Sequence, residues 1–179
     1  MKNIFNFTLV IALLAIVLIE NKAISSNGAI VVHSNQPNDT RMANTYIKDG
    51  LNHSPPLVWS KVPNSAKSLA LICADPDAPC GTWIHWVAWN IAANVNSLEE
   101  ACPKLPRLPN GICQGRNSFG LIGYDGPSPP PGKLHHYNFT IYALDRQLNL
   151  NPGSSYNDLA KAMKDHILAH GTYTGTFSR

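Results

Sequence analysis

Charge is what this sequence has least of. Only 14% of its 179 residues are charged, and 14 Lys and Arg against 11 Asp and Glu leave a formal net charge of +3. No stretch gathers the basic residues, so a nucleic-acid-binding face is not expected. The four cysteines, at positions 73, 80, 102 and 113, lack the paired short spacings of a zinc site. No internal repeat and no linker divides the chain. Long apolar runs are also missing, apart from one near the N-terminus, and that one falls short of the roughly 20 residues that cross a bilayer. What is plentiful is Pro (14), Gly (12), and aromatics that include four Trp and six Tyr. Such punctuation between aromatic, β-branched segments is the composition of a loop-rich, mainly β protein.

The N-terminal run spans residues 9–19 (LVIALLAIVLI), follows Lys2, and gives way to Glu20, Asn21, Lys22 and the small residues Ala23, Ser25 and Ser26. That layout is expected of a secretory signal peptide. The expected organisation is a leader at residues 1–23 and one domain at 24–179, exported to the periplasm or outside the cell, with no membrane span once the leader is removed. An uncleaved anchor is the alternative if the apolar segment extends back to Ile4. In an oxidising compartment four thiols can pair. The pair Cys102–Cys113 brackets a short Pro-rich loop, which a disulfide stiffens by roughly 3 kcal/mol on chain-entropy grounds. Cys73, at an inward strand position, reads equally well as a small buried hydrophobe.

Residues 68–75 (SLALICAD) form a compact apolar run ending at an Asp-Pro turn, as in a buried strand. Residues 83–91 (WIHWVAWNI) alternate, with Trp83, His85, Val87 and Trp89 on one face and Ile84, Trp86, Ala88 and Asn90 on the other. Residues 136–145 (HYNFTIYALD) make a third strand with Tyr137, Phe139, Ile141 and Ala143 sharing a face. Three such strands with irregular connections suggest a sandwich. One helix is expected over residues 156–170, where Leu159, Met163, Ile167 and His170 recur at helical spacing behind a capping-box-like Ser155 and Asp158, with Gly171 as the stop.

Residues 74–81 (ADPDAPCG) place Asp75 and Asp77 in a turn stiffened by Pro76 and Pro79, and His85 returns beside it on the next strand. The Pro-rich segment 123–132 (GYDGPSPPPG) leads to His135 and Tyr137, on one side of their strand. Two histidines, a Tyr hydroxyl and two carboxylates can thus meet at one end of a sandwich. Each also has a plain structural reading, since Asp-Pro turns serve geometry and strand histidines are often satisfied core residues.

The order and wording of these segments resemble the phosphatidylethanolamine-binding protein family. The resemblance runs through residues 46–59 (YIKDGLNHSPPLVW), 75–79 (DPDAP), His85-Trp86 with Asn90, 115–120 (GRNSFG), 123–127 (GYDGP), and Gly132 followed by His135 and Tyr137. It covers nearly all of the chain after the leader, and its compact loops are similar to the bacterial and archaeal branch related to the Raf kinase inhibitor proteins. It implies an antiparallel two-sheet sandwich with a C-terminal helix and long Pro/Gly-rich loops. It also implies a non-catalytic pocket for a small phosphorylated or other anionic ligand, with no cofactor and no metal. By position, Asp75, Asp77, Trp83, His85, Pro130, His135 and Tyr137 are the implied ligand-binding residues. Histidine N–H groups and a Tyr hydroxyl suit phosphate oxygens, while Asp75 can orient a His. Three departures bear on the pocket: Ser118 replaces a usual Asp, His136 a usual Arg, and Cys80 a common hydroxyl residue.

Other readings stay open at this point. A protein partner, such as a protease or kinase restrained through the surface around the pocket, is one. A hydrolase using Asp75, His85 and Ser118 is another, although Ser118 lacks the Gly-x-Ser-x-Gly elbow that exposes a nucleophile. A metal held by His85, His135, Asp75 and Asp77 is a third.

Overall fold

The computed structural model describes residues 29–179, so the expected leader lies outside the described residues. The elements in chain order are β1 (Val31–Ser34), β2 (Thr40–Arg41), β3 (Leu57–Ser60), β4 (Ser68–Asp75), β5 (Trp83–Ala92), β6 (Ser97–Leu98), β7 (Cys113–Gln114), β8 (His135–Leu144), α1 (Tyr156–Met163) and β9 (Ile167–Phe177). A six-stranded sheet has the order β2-β9-β8-β4-β5-β7, and a three-stranded sheet the order β1-β3-β6. All pairs are antiparallel except β2 with β9. The result is the mainly β, two-sheet sandwich that the sequence suggested.

β4 is central because both of its faces are apolar. Leu69, Leu71 and Cys73 enter the core between the sheets with Leu57, Trp59, Trp86, Phe139, Ile141 and Tyr173. Ala70 and Ile72 face the opposite way, toward Ile84, Val87, Trp89 and the Leu159 and Met163 side of α1. Trp59, Trp86 and Trp89 are all but inaccessible. Burying a large apolar side chain contributes about 1.5–3 kcal/mol relative to leaving it exposed, so these two layers hold the sandwich closed.

The simple alternation expected for β5 does not hold. Trp86 pairs with Cys73 and Ile84 with Ala74, which leaves His85 as an extra residue in a β-bulge, and a second irregularity follows near Asn90, whose φ is 56°. Val87 and Trp89 therefore join Ile84 on the α1 side, away from His85, while Trp86 and Ala88 lie between the sheets. Bulges of this kind re-aim a side chain at the expense of local pairing.

The expected helix over 156–170 is half right. α1 carries the capping box between Ser155 and Asp158, but it ends at Met163, and Asp165 turns the chain at φ 65°. From Ile167 the chain is strand. The backbone edge of β8 would otherwise be unpaired, and Thr172, Tyr173, Thr174, Thr176 and Phe177 suit a pleated surface better than a helix. Gly171 is consequently not a helix stop. It lies opposite Ile141, and a Cβ there would stand 1.7 Å from the Ile30 carbonyl oxygen.

The expected Cys102–Cys113 disulfide is not formed, and all four thiols are free. Gln114 projects between the sheets, where its amide oxygen accepts from the Trp86 indole at 2.6 Å and its amide nitrogen donates to Pro103 and Leu105 carbonyls. Its neighbour Cys113 must then face the α1 side, while Cys102 packs against the inter-sheet core. The sheet separates them. Cys73 is the buried hydrophobe of the other reading.

Candidate functional site

The turn after β4 is organised by its two carboxylates. One oxygen of Asp75 accepts from the Asp77 amide at 2.8 Å, closing the turn, and the other accepts from His135 Nδ1 at 2.7 Å. Asp77 reaches the next residue along, taking the His136 amide at 2.9 Å and its Nδ1 at 2.8 Å. Successive residues of β8 point to opposite faces, so His135 and Tyr137 are buried while His136 stays half-exposed. The His136 bonds hold the Asp77 carboxyl below its usual range.

His85 is clamped from the other side. The Asp125 amide donates to the His85 carbonyl at 3.0 Å, and the Asp125 carbonyl lies 2.6 Å from His85 Nδ1. A carbonyl can only accept, so Nδ1 carries the proton and only Nε2 remains for a ligand. Burial lowers the His85 pKa, partly offset by the Asp125 bond and the Asp75 and Asp125 charges, while Lys48 adds to the lowering. The ring packs edge-on against Tyr137 and Phe119, at centroid distances of 5.0 and 5.6 Å.

Asp125 is itself buried and fixed by Asn52 at 2.7 Å, Asn117 at 3.0 Å and Lys104 at 3.2 Å. Burial works against its charge, but these bonds prevail and its pKa is lowered.

These elements enclose a cavity of about 190 Å³ lined by Asp75, Trp83, His85, Pro130, His135 and Tyr137, six of the seven residues expected from the sequence. Asp77 stands outside, bound to His136, and supports the turn instead. The Tyr137 hydroxyl and the Trp83 indole N–H are buried with no hydrogen-bond partner. Burial, and then the nearby Asp75 charge, push the Tyr137 pKa up, so the hydroxyl keeps its proton and can donate. Phe119, Pro129, Ser128 and Cys80 complete the wall. Phe119 and Asp125 fall within motifs that the sequence marks, GRNSFG and GYDGP, but nothing local shows which residue of each turns inward.

Asp75, His85 and Ser118 do not assemble as a triad. The Ser118 hydroxyl accepts from the Ile84 amide at 2.9 Å and lies in a separate hollow with Arg116 and Tyr156. Asp75 holds His135, not His85. Among the described residues, no three His, Cys, Asp or Glu side chains are grouped to hold a metal ion, and no helix is long and apolar enough to cross a membrane.

Comparison with known proteins shows the family and the fold. The sequence profile described as phosphatidylethanolamine-binding protein matches residues 32–178. An archaeal relative from Methanothermobacter thermautotrophicus, named UPF0098 protein, is 50% identical over 139 residues, covering 78% of this chain and 91% of that protein. The UPF0098 protein YbhB of Escherichia coli is 41% identical, covering 73% and 84% respectively. Among solved structures, E. coli YbcL, described as a new member of the mammalian PEBP family, superposes with a TM-score of 0.79 at 32% identity, covering 85% of this chain and 99% of that one. A phosphatidylethanolamine-binding protein homologue of Chlamydia trachomatis gives a TM-score of 0.76 at 36% identity, covering 84% and 98%.

Proposed function

Because the chain belongs to the phosphatidylethanolamine-binding protein family, we propose that it binds a small anion, phosphate or a phosphorylated head group, without catalysis, in the cavity where the end of β4 meets the starts of β5 and β8. With the leader expected at residues 1–23, it does so as an exported protein. The observation that carries this reading is the pair of buried donors, Tyr137 hydroxyl and Trp83 indole N–H, that make no hydrogen bond of good geometry among the described residues, although Asp75 lies near the hydroxyl. Leaving such a group unsatisfied costs about 1–3 kcal/mol, and an anionic oxygen relieves it. Both histidines on the wall have Nδ1 engaged, so each offers the ligand only Nε2. Ser118, the candidate nucleophile, faces elsewhere.

The pH dependence follows from His85. Burial lowers its pKa, so in the empty cavity it is neutral in the upper imidazole range and its Nε2 can only accept. A bound anion favours the protonated ring, so binding takes up a proton, and affinity falls as pH rises through the imidazole range. Titration calorimetry with phosphoethanolamine between about pH 6 and about pH 8, around the imidazole reference near 6.5, tests this. His135→Ala removes a charge-assisted bond and is expected to weaken binding about tenfold to a hundredfold, while His166→Ala leaves it unchanged. Equal affinity in wild type, His85→Ala, His135→Ala and His166→Ala, all folded, places the ligand elsewhere.

A further inference from the structure

We propose that Cys80 is a modification site that closes this cavity: its thiol exchanges with a small anionic disulfide and carries the resulting mixed disulfide across the mouth. The proposal rests on the anion-binding reading of the same cavity and adds its regulation.

The four thiols differ sharply in access. Cys73 and Cys113 are fully buried, and Cys102 is half-buried with its thiol pushed up to about 11 by burial. Cys80 alone is exposed, and it also lines the cavity beside Ala78 and Pro79. A second, independent feature points to a ligand there. Tyr137 is 1% exposed and lines the same cavity, yet among the described residues its hydroxyl makes no hydrogen bond of good geometry, and neither does the Trp83 N–H. A disulfide carrying carboxylates can place one of them on these donors, which holds its sulfur–sulfur bond next to Cys80 and makes the exchange effectively intramolecular. The other three thiols have no such approach.

The step balances without a further oxidant. Cys80 releases its proton to solvent, and the thiolate attacks one sulfur of the disulfide. A new sulfur–sulfur bond forms to Cys80, the old one breaks, and the departing thiolate takes up a proton. Cys80 is oxidised and half of the small disulfide is reduced. An exported protein meets such disulfides routinely, and any thiol reductant reverses the closure.

The full chain, reduced and then treated with oxidised glutathione, is followed by mass spectrometry and calorimetry. One adduct is expected, on Cys80, absent from Cys80→Ser and slowed by inorganic phosphate. Phosphoethanolamine affinity is expected to drop about tenfold or more, a factor well within calorimetric reach, and to recover on reduction. Ring resonances of His85 and His135 should shift when the adduct forms, a readout that needs no added ligand. Failure of Cys80 to react overturns the proposal, as does equal adduct on Cys80→Ser, or an adduct on Cys80 that moves neither affinity nor ring resonances. If the reduced protein binds no phosphate or phosphoethanolamine while the adduct still shifts both rings, closure stands and the anion reading fails.

Discussion

At Asp125 the main chain and the side chain serve different neighbours. The peptide groups clamp His85, while the carboxylate is held by Asn52, Asn117 and Lys104, with Lys48 at 3.7 Å. Asp125→Asn keeps the clamp but removes a charge that raises the His85 pKa and leaves the lowering effect of Lys48 less opposed. The expected result is that the midpoint of the pH dependence of phosphoethanolamine binding moves to lower pH, whereas a purely structural role for Asp125 would change affinity at every pH alike. Unliganded stability should respond as well. His85 has a depressed pKa in the folded state, so the unfolded chain binds the extra proton first. Stability is therefore fully present above the unfolded value of about 6.5 and is lost as pH falls toward the folded value. Denaturant titrations across that window should show a slope that His85→Gln removes.

Among the elements, β9 and α1 compete for one stretch of sequence. Ile167 and His170 continue the spacing of Leu159 and Met163, so local periodicity favours helix, yet ten residues of β8 pair along β9 from Phe177 at one end to Ile167 at the other. Nonlocal pairing wins, and the run of β-branched and aromatic residues that favours it begins only at Thr172, beyond the disputed stretch. Gly171 reports the outcome, because Ile30 crosses it closely enough that any side chain collides with backbone. Gly171→Ala is expected to cost at least the ~1–3 kcal/mol of an overpacked core, read as a drop in the denaturation midpoint. Were Gly171 only a helix terminator, Ala would be nearly harmless. At the other end of the same region, the Ser155 cap accepts from the Asp158 amide, and Ser155→Ala should cost about 1 kcal/mol.

In the molecule as a whole, the sandwich and most of the cavity wall were legible in the sequence, because strand alternation and the motif segments each fix local geometry. β4, β5 and β8 fall close to where apolar pattern places them. His135 and Tyr137 share a face through period two alone, but His85 reaches them through a bulge that alternation does not contain. The role of Asp77 was missed because its partner His136 lies 59 residues away. The disulfide expectation failed for a related reason, since closeness in sequence says nothing about which face of a sheet each thiol takes. Gln114 does the work assigned to that bridge, tying Pro103 and Leu105 to Trp86. Gln114→Leu leaves the buried Trp86 indole N–H unsatisfied, at about 1–3 kcal/mol, and should destabilise the protein more than Cys102→Ser does in thermal melts.

The strand that completes the large sheet is the last one made. β9 ends at Phe177, pairs with all of β8, and reaches back to β2, while the Thr174 amide takes the Asn38 side chain from 136 residues earlier. During synthesis β8 therefore has an open edge, and β2 lacks its partner, until β9 has left the ribosome. Sheets assembled from such distant partners form slowly. Until then the unpaired edge of β8 is open to any other extended segment, so the final pairing of β9 also removes the largest template for misassociation.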